Sequence, residues 1–268
     1  MATLDGIPII DESNYRSYVS EIETEGFGTG YIPRDYDAMP EGSLGFADPF
    51  DLPVIPRDQW AERIKAREVS HSRISDWQRR KKVKVNSQGQ TSFCWAHGTV
   101  KAMELSYAMS GHDYTELAPE SIAAPIKGFR SQGGNTPEAI RWLSAKGCCE
   151  RQYWPRNSYS RSNYTDQVKQ NAMLWRLSEW LELSRNRFDQ LATCLLLGLP
   201  AGIGLKWWRH LVCAMDLVKT GANSYGVMIL NSWGPGWGDN GRGILEESKA
   251  KAFDQYACRT GTLRGLAA

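Results

Sequence analysis

The chain has 268 residues, enough for one large domain or for one domain plus an arm. Its hydrophobic content of 41% is that of an ordinary soluble protein with a sizeable core, and its formal net charge of +2 gives no reason to expect nucleic acid or a membrane as partner. No stretch approaches the roughly eighteen apolar residues of a membrane span, and Met1-Ala2-Thr3-Leu4-Asp5 has neither the basic start nor the apolar run of a secretory leader.

Residues 1–56 read as irregular, because Gly26, Gly28, Gly30, Pro33, Pro40, Gly42, Gly45, Pro49, Pro53 and Pro56 interrupt them every few residues. Aromatic residues (Tyr15, Tyr18, Phe27, Tyr31, Tyr36, Phe46, Phe50) are interleaved too densely for a disordered tail, so an extended arm lying on another surface is expected. The first sixty residues are acidic and residues 61–85 are basic, which suggests an arm that folds back on basic surface or binds a basic partner. A short helix is expected over residues 57–69, with Trp60, Ile64 and Val69 on one side.

From Asp76 the pattern becomes compact. A helix is predicted from Cys94 to about Met109, stopped by Gly111. A second starts at Thr136-Pro137-Glu138, with Asn135 or Thr136 as cap and Pro137 at the first helical position, and ends near Gly147. A third is predicted from Tyr164 to Glu182 and a fourth from Phe188 to Leu197. Strands are predicted at Ala201–Leu205, Leu211–Val218 and Tyr225–Leu230, with Gly221-Ala222-Asn223 as a turn. Helices first and strands later make the class α+β.

The six cysteines, Cys94, Cys148, Cys149, Cys194, Cys213 and Cys258, have no disulfide-framework spacing and are read as reduced. With no CxxC and no histidine pair at metal spacing, neither a metal nor another cofactor is expected. A cysteine nucleophile needs a lowered thiol pKa, a histidine base, a group that orients the histidine, and donors for the oxyanion. Cys94, at the predicted start of a helix, meets the first need.

The segment Ser87-Gln88-Gly89-Gln90-Thr91-Ser92-Phe93-Cys94-Trp95-Ala96 resembles the nucleophile segment of the papain-like cysteine peptidases. His210-Leu211-Val212 resembles that family's His-Ala-Val, and Asn231-Ser232-Trp233-Gly234 its Asn-Ser-Trp-Gly block; Asp76-Trp77 resembles its mature N-terminus and Gly133-Gly134 its substrate-binding glycine pair. The resemblance covers about residues 74–248. It implies a two-lobed fold, with a helical left lobe and an antiparallel β right lobe, over residues 74–268 behind an N-terminal extension over residues 1–73. It implies peptide-bond hydrolysis, with Cys94 as nucleophile, His210 as base, Asn231 orienting the imidazole, and Gln88 with the Cys94 amide as oxyanion donors. Trp233 would shield the Asn231–His210 bond, Gly133 and Gly134 would bind substrate backbone, and Trp208 would narrow the cleft. His97 is read as packing.

The sequence also departs from that family. Thr91 stands where the family has a cysteine, Arg209 precedes the histidine, and the segment from Leu205 to His210 is short. Asn135-Thr136 replace residues that shape the apolar specificity pocket, and no propeptide pattern is found in residues 1–75. Two readings follow. One is a peptidase acting on peptides or proteins, with its arm as inhibitor, docking element or permanent part of the domain. The alternative is a structural component of a larger assembly, for example a virion protein, that keeps the fold and docks through the acidic, aromatic-rich arm. The expected location is the cytoplasm or the interior of a virus particle.

Overall fold

The computed structural model describes residues 2–177 and 179–259. In chain order it contains β1 (Thr3–Leu4), β2 (Ile7–Ile10), α1 (Tyr15–Thr24), β3 (Asp48–Pro49), α2 (Trp60–Val69), α3 (Ile74–Arg80), α4 (Cys94–Met109), α5 (Glu120–Ile126), α6 (Thr136–Ala145), α7 (Asp166–Ala172), β4 (Trp180–Leu183), α8 (Phe188–Leu196), β5 (Ala201–Leu205), β6 (His210–Lys219), β7 (Tyr225–Leu230), β8 (Arg242–Glu246), α9 (Glu247–Ala250) and β9 (Asp254–Cys258). This is an α+β fold in which helices α4 to α7 precede most of the sheet. No helix among the described residues is long and apolar enough to cross a membrane.

The sheet runs in the order β1-β2-β8-β7-β6-β5-β9-β4-β3. Its middle strands, from β8 to β4, are antiparallel. The parallel pairings are β2 on β8 and β3 on β4, so the first fifty residues cap the sheet at both edges. Between those edges the chain crosses from one side of the molecule to the other.

Helix α4 packs on β5 and β6. Its apolar residues from Cys94 to Leu105 are fully buried, as expected of a helix wrapped on most sides by protein. Gly98 allows the close approach: a Cβ there would lie 2.5 Å from the Leu211 side chain. Helix α6 begins with the expected cap, since Asn135 Oδ1 accepts from the Glu138 amide at 3.0 Å while Glu138 Oε2 accepts from the Asn135 amide at 3.0 Å.

Two expectations are corrected. Residues 1–56 are not irregular throughout: Ile7-Pro8-Ile9-Ile10 is an apolar run that extends the sheet, and Tyr15, Tyr18 and Ile22 give α1 one apolar face. The density of glycine and proline after residue 25 hid both. The helix predicted from Tyr164 to Glu182 stops at Ala172, and the chain turns before entering β4. Trp180-Leu181-Glu182-Leu183 pairs with β9 instead, because strand pairing with a fully buried neighbour outweighs helix propensity there. The ion pairs described for acidic residues 1–60 run to Lys249 from Glu12 and to Arg259 from Asp51, not to the basic run 61–85.

Candidate active site

Cys94 is the first residue of α4, where the unpaired backbone N–H groups of a sixteen-residue helix converge. It is fully buried. Burial pushes its thiol up to about 12, against the opposite pull of the Leu211, Gly30, Trp95 and Tyr31 amides that face the sulfur.

His210 opens β6, immediately before Leu211, and its place is fixed by pairing with Leu205 across a tight turn. Arg209 in that turn adopts φ 49° and turns its side chain to solvent. His210 Nε2 lies 2.7 Å from Asn231 Oδ1. The same oxygen accepts from the Ser232 amide at 2.7 Å, so it is an acceptor and Nε2 carries the hydrogen. The Nδ1 lone pair is left free, and among the described residues Nδ1 has no partner. Burial pulls the imidazole down to about 4, against the raising effect of the Asn231 bond.

Trp233 covers this pair, its ring 4.5 Å from the His210 ring. Trp208 meets His210 edge-on at 5.3 Å and is itself fully buried, its indole N–H donating to the Tyr18 carbonyl of α1 at 3.2 Å. It lies beneath α1 rather than on an open wall. His97, one turn along α4 from Cys94, is buried; its Nδ1 lies 3.5 Å from the Asn86 amide.

Gln88 sits in the loop before α4 and is fully buried. Its Oε1 accepts from the Ser232 hydroxyl at 2.5 Å, and its backbone N–H donates to the Ser232 carbonyl at 2.8 Å. Ser232 therefore ties the Gln88 loop to the residue that orients His210. Nothing in the sequence around Ser232 signals this tie, which depends on Gln88 far away in the chain.

The groove is filled by the chain itself. Gln88 Nε2 donates to the Gly28 carbonyl at 3.0 Å, and the Trp233 indole donates to the same oxygen at 3.1 Å. Phe27 stacks on Trp233 with ring centroids 4.6 Å apart. Gly134 N donates to Gly30 O at 2.9 Å and Gly134 O accepts from Ile32 N at 2.9 Å, a parallel bridge centred on Tyr31. The Tyr31 N–H donates to the Arg209 carbonyl at 3.2 Å. Its ring is buried against Gly204, where a Cβ would come within 2.4 Å of it. The Tyr31 hydroxyl is aimed toward Asp254 without closing a hydrogen bond of standard geometry. Close contact requires glycine here as well: a Cβ at Gly28 would stand 2.1 Å from the Thr91 carbonyl oxygen, and one at Gly30 would stand 2.2 Å from that of Ser92.

A carbonyl set for attack would bring its carbon to the sulfur and its oxygen to Gln88 Nε2. Instead, the carbonyl on Gln88 belongs to Gly28, and the Tyr31 N–H is taken by the Arg209 carbonyl. The sequence reading missed the course of this segment. The alternation Gly26-Phe27-Gly28-Thr29-Gly30-Tyr31 was the available signal: a strand with one face bare so that backbone can lie against backbone.

The family profile described as papain family cysteine protease matches residues 72–209 and ends one residue before His210. Ananain from Ananas comosus is 22% identical over 190 residues, which are 63% of this chain and 54% of that protein. Cathepsin O from Homo sapiens is 24% identical over 190 residues, covering 62% of this chain and 58% of that protein. The chain thus spans little more than half the length of these curated relatives. Among solved structures, xylellain, a cysteine protease from Xylella fastidiosa, superposes with a TM-score of 0.60 at 17% identity, covering 87% of this chain and 96% of that one. Digestive procathepsin L 3 from the larval midgut of Tenebrio molitor gives 0.60 at 15% identity, covering 92% and 88%.

Proposed function

The chain belongs to the papain family of cysteine proteases, and from that premise we propose that it is a peptidase acting on peptides or proteins, held latent by its own residues 26–32. The observation that carries the reading is the joint arrangement at one groove: a cysteine at a helix start, a histidine whose Nδ1 is free while Nε2 is held by Asn231, and a buried glutamine amide that already binds a carbonyl oxygen.

In this reading Cys94 transfers its proton to His210 Nδ1 and the thiolate attacks the scissile carbonyl carbon. The oxygen that gains charge is held by Gln88 Nε2 and the Cys94 amide. The Nδ1 proton then goes to the leaving amine, and the C–N bond breaks to give a thioester. Nδ1 next takes a proton from water, whose oxygen attacks the thioester, and Cys94 departs as thiolate. Asn231 keeps Nε2 protonated throughout, so that Nδ1 remains the exchanging nitrogen. Trp233 keeps water from that bond. Gly134 supplies one donor and one acceptor to an extended backbone, the same pair that now holds Gly30 and Ile32.

Latency has a direct physical basis. With residues 26–32 in the groove, Cys94 and His210 are both buried and both pushed toward their neutral forms. The test is alkylation by an epoxide selective for activated thiolates, read by intact mass, on the full chain, Gly30→Ala and Cys94→Ala. Fast labelling of Gly30→Ala, slow labelling of the parent and none of Cys94→Ala support the reading. Folded protein that resists labelling with and without Gly30→Ala overturns it.

A further inference from the structure

Behind the Gln88 loop lies a group of polar residues that the chemistry above does not use. Glu120, at the start of α5, is fully buried. One of its carboxylate oxygens takes the Arg151 guanidinium at 2.8 Å, and the other accepts from the backbone N–H of Asn157 at 2.8 Å. Burial disfavours its charge, yet the Arg151 guanidinium and the Asn157 amide hold the carboxyl below its ordinary value. A buried charge is a costly way to hold a loop, and it persists where its remaining hydrogen bonds fix a geometry.

The geometry fixed is that of Asn157, which adopts φ 56°, a left-handed conformation that asparagine tolerates better than most residues. The Asn157 side-chain amide is assigned with its nitrogen toward the Gln88 loop, because an oxygen there would face only carbonyls; so placed, it donates to the Ser87 carbonyl at 3.0 Å and to the Gln88 carbonyl at 3.1 Å. Gly89, at φ 54°, completes the fit, since a Cβ there would stand 2.9 Å from the same amide. The loop that carries Gln88 is therefore gripped from two sides, by Ser232 from the sheet and by Asn157 from the helical lobe.

We infer that Asn157, anchored by the Glu120–Arg151 pair, is a positioning residue for the oxyanion donor Gln88, an inference that rests on the peptidase reading above. An oxyanion donor works through placement. Loss of one donor outright typically lowers kcat by about a hundredfold to a thousandfold, and a donor that is retained but displaced loses part of that. Asn157 is exposed and its described hydrogen bonds go to Glu120, Ser87 and Gln88, so it acts on the developing oxyanion through Gln88 and leaves thiolate formation alone.

The test uses the full chain carrying Gly30→Ala, with Asn157→Gly, which keeps the left-handed backbone and removes the amide, and Asn157→Asp, which keeps the shape and replaces the donor by an acceptor. Hydrolysis of a casein-derived peptide, inhibition by a peptide aldehyde, and epoxide alkylation of Cys94 are measured together. Both variants are expected to lower kcat about tenfold, with KM changed less than twofold. They are expected to weaken the aldehyde, whose hemithioacetal oxygen occupies the same hole, by a similar factor. Epoxide alkylation, which attacks no carbonyl and forms no tetrahedral adduct, is expected to keep its rate. Unchanged kcat in both variants overturns the inference, and so does a fall in alkylation parallel to kcat, which would mark a general loss of structure. A Gly30→Ala parent that neither alkylates nor hydrolyses takes down the peptidase reading itself.

Discussion

The carbonyl oxygen of Gly28 sits 3.0 Å from the side-chain nitrogen of Gln88, so the amide proposed above to hold the oxyanion is already occupied by the chain's own backbone.

Substituting Gly28 or Gly30 by alanine should free the groove. Each methyl would fall within about the length of a covalent bond and a half of a backbone oxygen, 2.1 Å from Thr91 O or 2.2 Å from Ser92 O, and backbone does not yield as a flexible side chain does. Alkylation of Cys94 should accelerate at least tenfold in either variant. Equal rates in parent and variants would mean that the segment already opens freely.

The segment is anchored by a buried charge. Arg34 pairs with Glu182 and donates to the Tyr256 hydroxyl at 2.7 Å, while its backbone N–H donates to Asp254 at 3.2 Å. Glu182 also accepts from the Gly42 amide at 3.0 Å. Arg34→Met leaves the Glu182 carboxylate buried without its cation and should destabilise the fold by about 3–5 kcal/mol. The double variant Arg34→Met with Glu182→Met should recover most of that loss. Urea denaturation measures both, and a single variant within 1 kcal/mol of the parent by that measure, roughly the median worth of an exposed pair, would rule out a buried-pair cost.

Acid should weaken the protein in a defined window. His97 and His210 are buried neutral, with pKa values pulled from 6.5 to about 4. A histidine whose folded pKa is depressed contributes stability that is present above its unfolded value and is lost as pH falls through the folded one. Thermal stability should therefore be level above about pH 6.5 and fall toward pH 4, with His97→Gln flattening part of the slope. A melting temperature that does not change between pH 7 and pH 4.5 would contradict the assignment.

Much of the site was legible because its residues are chemically constrained in short words. Cys94 at a helix start and Asn231 beside Ser232 and Trp233 are local patterns, and α4 and β7 lie over the predicted ranges. The course of residues 26–34 was not legible, since it is decided by contacts with residues 88–92, 134, 209 and 254, far away in sequence. The same holds for β4: Val168, Ala172 and Trp175 recur at helical spacing and invite a longer helix, and only pairing with β9 decides that Trp180–Leu183 is a strand. Asn157 was invisible for a third reason, in that its worth lies in a left-handed backbone and a buried carboxylate that no spacing reveals.

Gln88 gives the sharpest single test, because its removal acts on two steps with opposite sign. In the resting protein its amide holds Gly28, so Gln88→Ala should loosen residues 26–32 and speed epoxide alkylation of Cys94 in the full chain. In turnover the same amide would hold the oxyanion, and its loss should lower kcat by roughly a hundredfold to a thousandfold, or about 3 kcal/mol. The two readouts must diverge in one sample. If alkylation and turnover fall together, Gln88 serves mainly to support the loop through Ser232 and Thr91. If both rise, its grip on Gly28 outweighs any part it has in the chemistry.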